Sequence, residues 1–270
     1  MDLGLNGAAV VISGGSKGMG RAAAETFAAE GARVGVLARG VDAIDDTLRA
    51  AKELGASDVL ALPADLTNAV DVGRAFEAVA DRWGELNVLV NAAGPVEVGV
   101  GGFDGVDDDE WLATFDIGTV SAVRCVRAAL PLLRAAEWAR IVNVSAHSTK
   151  RQSPAIVAYT AAKAALTSLS KNLSLSLAAD GILVNTVSPG SFASEGMRGY
   201  IRALPAERNA DPDNLYDIMR VIAEDFGHPA HLGRAAEPAE IGPVIAFVGS
   251  RANTYMTGAN VNVDGGSDFA

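Results

Sequence analysis

The chain has 270 residues, a hydrophobic fraction of 49% and a formal charge of −11. That length suits one α/β domain with a full core, and that apolar content excludes a disordered chain. The acidic surface argues against nucleic acid and anionic lipid as partners, since like charges repel. No apolar run approaches the ~20 residues needed to span a bilayer, and Met1 to Gly7 lacks the basic and apolar regions of a signal peptide. A cytoplasmic protein without a membrane partner is therefore expected. The single cysteine, Cys125, excludes an intrachain disulfide, fits a reducing compartment and reads as a small core residue in an apolar helical run.

Strand-like and helix-like segments alternate along the chain. Ala8 to Ser13 is a short apolar run ending in glycine, and Arg21 to Glu30 is an Ala-rich helix stopped by Gly31. Val34 to Leu37 reads as a strand and Val41 to Leu54 as a helix ended by Gly55. Val59 to Leu62, Asn68 to Trp83, Val88 to Asn91, Glu110 to Ala136, Ile141 to Ser145, Tyr159 to Ala179 and Leu183 to Val187 continue the pattern. The acidic run Asp107 to Glu110 suits a helix start, where carboxylates cap the amides and meet the positive dipole end. Continuous apolar strands between amphipathic helices predict a doubly wound parallel sheet covered on both faces. Its ligand site should lie at the carboxyl ends of the strands. One domain is expected over residues 1–270, with an insertion at 191–235 before helix and strand resume at Pro238 to Val248 and Ala259 to Val263.

The run Ser13-Gly14-Gly15-Ser16-Lys17-Gly18-Met19-Gly20 follows the first strand and opens the first helix. Glycines there let the backbone approach a phosphate, and helix N-terminal amides face the anion. The same loop also suits a purely structural turn. The second strand ends at Ala38-Arg39, with no acid of the kind that holds the ribose hydroxyls of NAD. Arg39 and Lys17 either pair with a 2′-phosphate or are ordinary surface cations. The first reading makes NADP(H) the preferred cofactor, with NAD(H) as the alternative. Tyr159 and Lys163 stand four residues apart on one helix face. A phenol is a poor base near neutrality, and an adjacent ammonium lowers its pKa.

The glycine loop, Asp65-Leu66, Asn91-Ala92-Ala93-Gly94, Tyr159 with Lys163, Pro189-Gly190 and the ending Thr257-Gly258 to Val263-Asp264-Gly265-Gly266 occur in order over nearly the whole chain. Together they resemble the short-chain dehydrogenase/reductase family. The resemblance implies a seven-stranded Rossmann-type sheet and reversible hydride transfer between a nicotinamide dinucleotide and a ketone or secondary alcohol. It implies Tyr159 as acid/base and Lys163 as the group that lowers its pKa and holds the nicotinamide ribose. Cofactor contacts are implied at Gly14, Ser16, Lys17, Gly18, Met19 and Gly20. Asp65 and Leu66 would lie by the adenine, Asn91 to Gly94 along the cofactor, and Pro189, Gly190, Phe192 and Ser194 by the carboxamide. A homotetramer or dimer is implied, with a small-molecule carbonyl or alcohol as substrate.

Two positions depart from the family. The catalytic serine normally lies thirteen residues before the tyrosine, and Ala146 stands there. Alanine cannot donate to a substrate oxygen. Ser145, Ser148 and His147 are the candidates to replace it, although strand alternation turns Ser145 away from Ala146 unless the strand ends early. The family's Asp-Val-Asn is here Asp116-Ile117-Gly118, so the asparagine of the lysine's water relay is missing, and Gly118 implies a close contact or a kink. These losses keep open a second reading, a cofactor-binding protein with weak or no catalysis that acts as a sensor or scaffold. In the insertion, His228 and His231 lack a third ligand, so no metal is expected. Phe192, Met197, Tyr200, Leu204, Leu215, Tyr216, Met219 and Phe226 either form a lid over an apolar substrate or pack the insertion.

Overall fold

The structure, a computed structural model, describes residues 2–95 and 102–267. Seven parallel strands form one sheet in the order β3-β2-β1-β4-β5-β6-β7. They are β1 (Ala9–Ser13), β2 (Arg33–Ala38), β3 (Asp58–Pro63), β4 (Val88–Asn91), β5 (Ala139–Val144), β6 (Ile182–Pro189) and β7 (Asn260–Val263). β1 pairs with β2 on one side and β4 on the other, with Val10 opposite both Val34 and Val88. Chain order reverses there, so the crevice for a ligand opens between Ser13–Gly14 and Asn91–Gly94.

The strands are apolar throughout because both faces are covered. Val10 and Ile12 face one core, with Phe27, Ile44 and Ile245 of helices α1 (Gly18–Ala29), α2 (Val41–Leu54) and α9 (Gly242–Val248). Ala9 and Val11 face the other, with Phe76 and Val79 of α3 (Ala69–Trp83) and Val126 and Leu133 of α5 (Ser121–Ala135). The period-two alternation of a strand divides them this way. Asn68 caps α3 by accepting from the amides of Val70 and Asp71, and Gly84 ends it at φ +72°. Cys125 is fully buried, and burial pushes its thiol up to about 12, as suits a core residue.

The segment expected as one helix from Glu110 to Ala136 is three pieces. α4 (Asp108–Phe115) starts where Asp107 accepts from the amide of Glu110. A π-helical stretch, Asp116–Val120, contains Gly118, and α5 follows. The long α6 (Val157–Ser176) carries Tyr159 and Lys163.

The insertion holds α7 (Glu195–Arg202) and α8 (Leu215–Phe226) around a small core of its own. Ile201, Ile218, Met219 and Ile222 are buried there, with Met197, Tyr200, Leu204 and Leu215 packed against them. The Tyr200 and Phe226 rings meet at 5.6 Å, and of the side chains proposed as a lid only Tyr216 is well exposed. Apart from Tyr216 and Phe192, these residues therefore pack the insertion. Among the described residues no helix is long and apolar enough to cross a membrane.

Candidate active site

The glycine loop is shaped by what it touches. Gly14 turns at φ +70°, and its amide donates to the Leu37 carbonyl at 2.8 Å. A Cβ at Gly14 would lie 2.7 Å from the Ala93 backbone nitrogen, so the loop presses on the Asn91–Gly94 stretch in a way only glycine allows. Gly20 sits against the Gly14 carbonyl in the same manner. Lys17 precedes α1 without capping it through its side chain. The first amides of α1 thus face the crevice with no side-chain acceptor, an arrangement that fits a pyrophosphate.

Around this cradle the expected cofactor contacts divide. Arg39 is exposed just beyond β2. Asp65 accepts from the Thr67 amide at 2.9 Å and hydroxyl at 2.8 Å. Those bonds, helped by the charges of Arg39 and Arg124, hold its carboxyl below the usual range. Leu66 is buried, and its carbonyl takes Arg124. The Asn91 side chain turns inward, to Ser13 and, at 2.8 Å, to Asn143, which continues to Ser170 on α6. That buried chain of amides ties β1, β4, β5 and α6 together and leaves only the backbone of Asn91 to meet a ligand. Gly190 lies against Asp264 so closely that a Cβ would collide with it. Phe192 is buried in the main core, and the Ser194 hydroxyl accepts from the Met197 amide at the start of α7.

Lys163 is 3% exposed and donates to the Val144 carbonyl at 2.9 Å. Gly94 closes over it: a Cβ there would be 3.1 Å from its Nζ. Burial pushes this ammonium down to about 8 and the half-buried Tyr159 phenol up to about 12. The expectation that Lys163 lowers the phenol's pKa is outweighed by desolvation in the protein by itself. The phenol is protonated there.

Ala146 is buried at the position of the absent serine. The Ser145 hydroxyl lies 3.0 Å from the Lys163 carbonyl and 2.7 Å from the Thr167 hydroxyl, on the side that strand alternation gives it. After Ala146 the chain enters a 3₁₀ turn, His147–Thr149, folded back so that the Thr149 hydroxyl donates to the Ala146 carbonyl at 3.0 Å. His147 Nδ1 is 3.1 Å from the Pro189 carbonyl, and its ring meets the edge of His228 at 4.7 Å. Burial, then the neighbouring His147, pushes His228 down to about 4. The partnership of His147 and His228 has no signature in the sequence, because it joins the end of β5 to the insertion. Among the described residues no group of three or more His, Cys, Asp or Glu is placed to hold a metal.

The close contact expected at Gly118 is present. The glycine lies in the π-helical stretch, and a Cβ there would come within 3.0 Å of the Ala162 Cβ. The next residue, Thr119, donates its hydroxyl to the Ala162 carbonyl at 2.7 Å, one residue before Lys163. Thr119 was not anticipated, since a lone threonine in a helical run carries no motif.

A family model described as enoyl-(acyl carrier protein) reductase matches residues 14–268. The chain is 33% identical to meso-2,3-butanediol dehydrogenase of Serratia marcescens, over 96% of this chain and 93% of that one. It is 31% identical to the oxidoreductase UcpA of Escherichia coli O157:H7, over 97% and 95%. Its structure is similar to that of L-sorbose reductase from Gluconobacter frateurii complexed with NADPH and L-sorbose, with a TM-score of 0.90, 30% identity, and coverage of 99% and 98%.

Proposed function

The chain belongs to the short-chain dehydrogenase/reductase family of oxidoreductases, and from that premise we propose that it interconverts a ketone and a secondary alcohol with NADP(H). The observation that carries this reading is the desolvated Lys163, held by the Val144 carbonyl beneath Gly94, four residues along α6 from Tyr159. The dinucleotide supplies the hydride when bound. Tyr159 gives its proton to the carbonyl oxygen as negative charge develops there, and its burial keeps that proton in place beforehand. Lys163 holds positive charge beside the resulting phenolate. Arg39 and Lys17 support a 2′-phosphate, with no carboxylate at the end of β2 to repel it.

The substrate we infer is small and polar. The apolar side chains of the insertion are engaged with each other, and the relatives named above include proteins named for a diol and a ketose. Purified protein with NADPH should reduce acetoin or L-sorbose faster than 2-octanone, and Tyr159→Phe should lower that rate at least a hundredfold. Unchanged turnover in the Phe variant removes Tyr159 from the chemistry. Fluorescence titration should give a lower Kd for NADPH than for NADH; the reverse order refutes the phosphate-pairing role of Arg39 and Lys17. Ala146 favours a second reading, a cofactor-binding protein with little catalysis. NADPH binding without turnover across a broad panel of carbonyl compounds would support it.

A further inference from the structure

We propose that Ser148 supplies the hydrogen-bond donor for the substrate oxygen that Ala146 cannot supply. The inference rests on the oxidoreductase reading above and adds to it the residue that completes the site.

Of the donor side chains near Ala146, Thr149 spends its hydroxyl on the Ala146 carbonyl, and the structure separates the other three. Ser145 points to α6, where the Lys163 carbonyl and the Thr167 hydroxyl engage it. His147 uses Nδ1 on the Pro189 carbonyl at 3.1 Å. A carbonyl only accepts, so Nδ1 carries the hydrogen, and in the neutral ring Nε2 is then an acceptor. A neutral His147 therefore has no hydrogen for a second oxygen. Ser148 differs from both. It is 2% exposed, and its Oγ has no hydrogen-bond partner. Buried hydroxyls are normally bonded, so one that is not calls for a cause, and a missing ligand is such a cause.

The backbone keeps Ser148 close to the vacant position. Two trans peptide steps limit the Cα separation of Ala146 and Ser148 to ~7 Å. The 3₁₀ turn folds back, with the amide and hydroxyl of Thr149 both on the Ala146 carbonyl, and it packs on α6, the helix that carries Tyr159. Thr160 also has a buried hydroxyl without a partner. It is one residue past Tyr159, about 100° around the helix from the face that Tyr159 and Lys163 share, so it does not compete for the same oxygen.

During reduction the carbonyl's π electrons move to oxygen as the hydride reaches carbon, and Tyr159 transfers its proton to that oxygen. Ser148 transfers nothing. It holds a hydrogen bond that strengthens as the oxygen becomes negative, and a donor of this kind is worth ~10²–10³ in rate.

The test uses the full chain, NADPH and whichever of acetoin or L-sorbose the wild type reduces faster. Ser148→Ala should lower kcat by ~10²-fold with the Kd for NADPH unchanged. Its thermal midpoint should stay the same or rise, because the hydroxyl removed has no partner to lose. Adding Ala146→Ser to Ser148→Ala should restore kcat at least tenfold, since the donor returns from the other position. The proposal is overturned if Ser148→Ala keeps kcat within threefold of wild type, if its midpoint falls along with activity, or if Ala146→Ser gives no recovery. A wild type that reduces neither compound fails at the earlier step and overturns the substrate reading above.

Discussion

Replacing His228 with Gln should flatten the acid side of the stability profile. The imidazole is 3% exposed and is held neutral down to about 4 by burial, then by the His147 ring at 4.7 Å and the charge of Arg151. The Arg151 and Gln152 backbones work in the opposite direction by hydrogen bonding. An unfolded histidine takes its proton near ~6.5. The unfolded chain therefore binds this proton more readily, and the stabilising contribution is whole above pH 6.5. It falls as pH drops below that value and is gone by about 4. A depression of ~2.5 units at ~1.36 kcal/mol each amounts to about 3 kcal/mol. Urea unfolding of wild type and His228→Gln at pH 7.5, 5.5 and 4.5 measures it. The variant should be the less stable at pH 7.5, through lost packing against His147, and should gain on the wild type steadily toward pH 4.5. Parallel stability curves across that range would refute the assignment of a buried neutral imidazole.

Three further outcomes follow from particular contacts. Gly14→Ala should raise the Kd for NADPH at least tenfold and lower the thermal midpoint, because it combines φ +70° with a Cβ 2.7 Å from the Ala93 backbone; Gly18→Ala, at φ +54° with open space around it, should lose only ~1 kcal/mol of stability. Gly118→Asn, which restores the family residue, should destabilise by ~1–3 kcal/mol by crowding Ala162 rather than improve turnover, and calorimetry beside steady-state kinetics decides it. Lys163→Met should abolish turnover and raise the stability of the cofactor-free protein at pH 7. Burial lowers Lys163 to about 8, so the wild type should regain stability between pH 8 and 10.5 while the Met variant should not, a difference that thermal midpoints across pH report.

The sheet was legible because its cause is local. Uninterrupted apolar runs such as Ala9–Ser13 and Val88–Asn91 are buried on both faces, and the sequence period alone dictates that. The crevice was legible for a related reason, since Gly14 and Gly20 are positions where no side chain fits. The division of Glu110 to Ala136 was not legible. A π turn changes the hydrogen-bond register without altering the apolar pattern, and Gly118 hinted at a kink without giving its kind. The role of the apolar insertion residues was equally open, because a lid and a small core have the same composition. Only the contacts of Ile201, Ile218 and Met219 distinguish them. Asn91, a motif residue expected along the cofactor, uses its side chain to brace Ser13 and Asn143.

The distribution of unsatisfied polar atoms separates scaffold from site. Most buried polar side chains of the sheet are paired. Asn87 accepts from the Ala9 amide and donates to the Trp138 carbonyl, Asn185 serves Met256 and Ala259, and Arg140 places two donors on the Asn253 carbonyl. Around Tyr159 the pattern changes. Ser148 Oγ, Thr160 Oγ1 and His228 Nε2 are buried without hydrogen-bond partners, and Lys163 is a desolvated cation. Each unpartnered group costs ~1–3 kcal/mol. Among the described residues, Ser148 on the turn after β5 and Thr160 on α6 carry unpaired buried hydroxyls, which an oxygen-rich ligand can relieve. Relief of these groups tightens ligand binding, and the bound ligand stabilises the protein by RT ln(1 + [L]/Kd). The missing serine fits the same logic, because the donor the reaction needs has moved along the turn to Ser148, one of the groups left waiting for a partner.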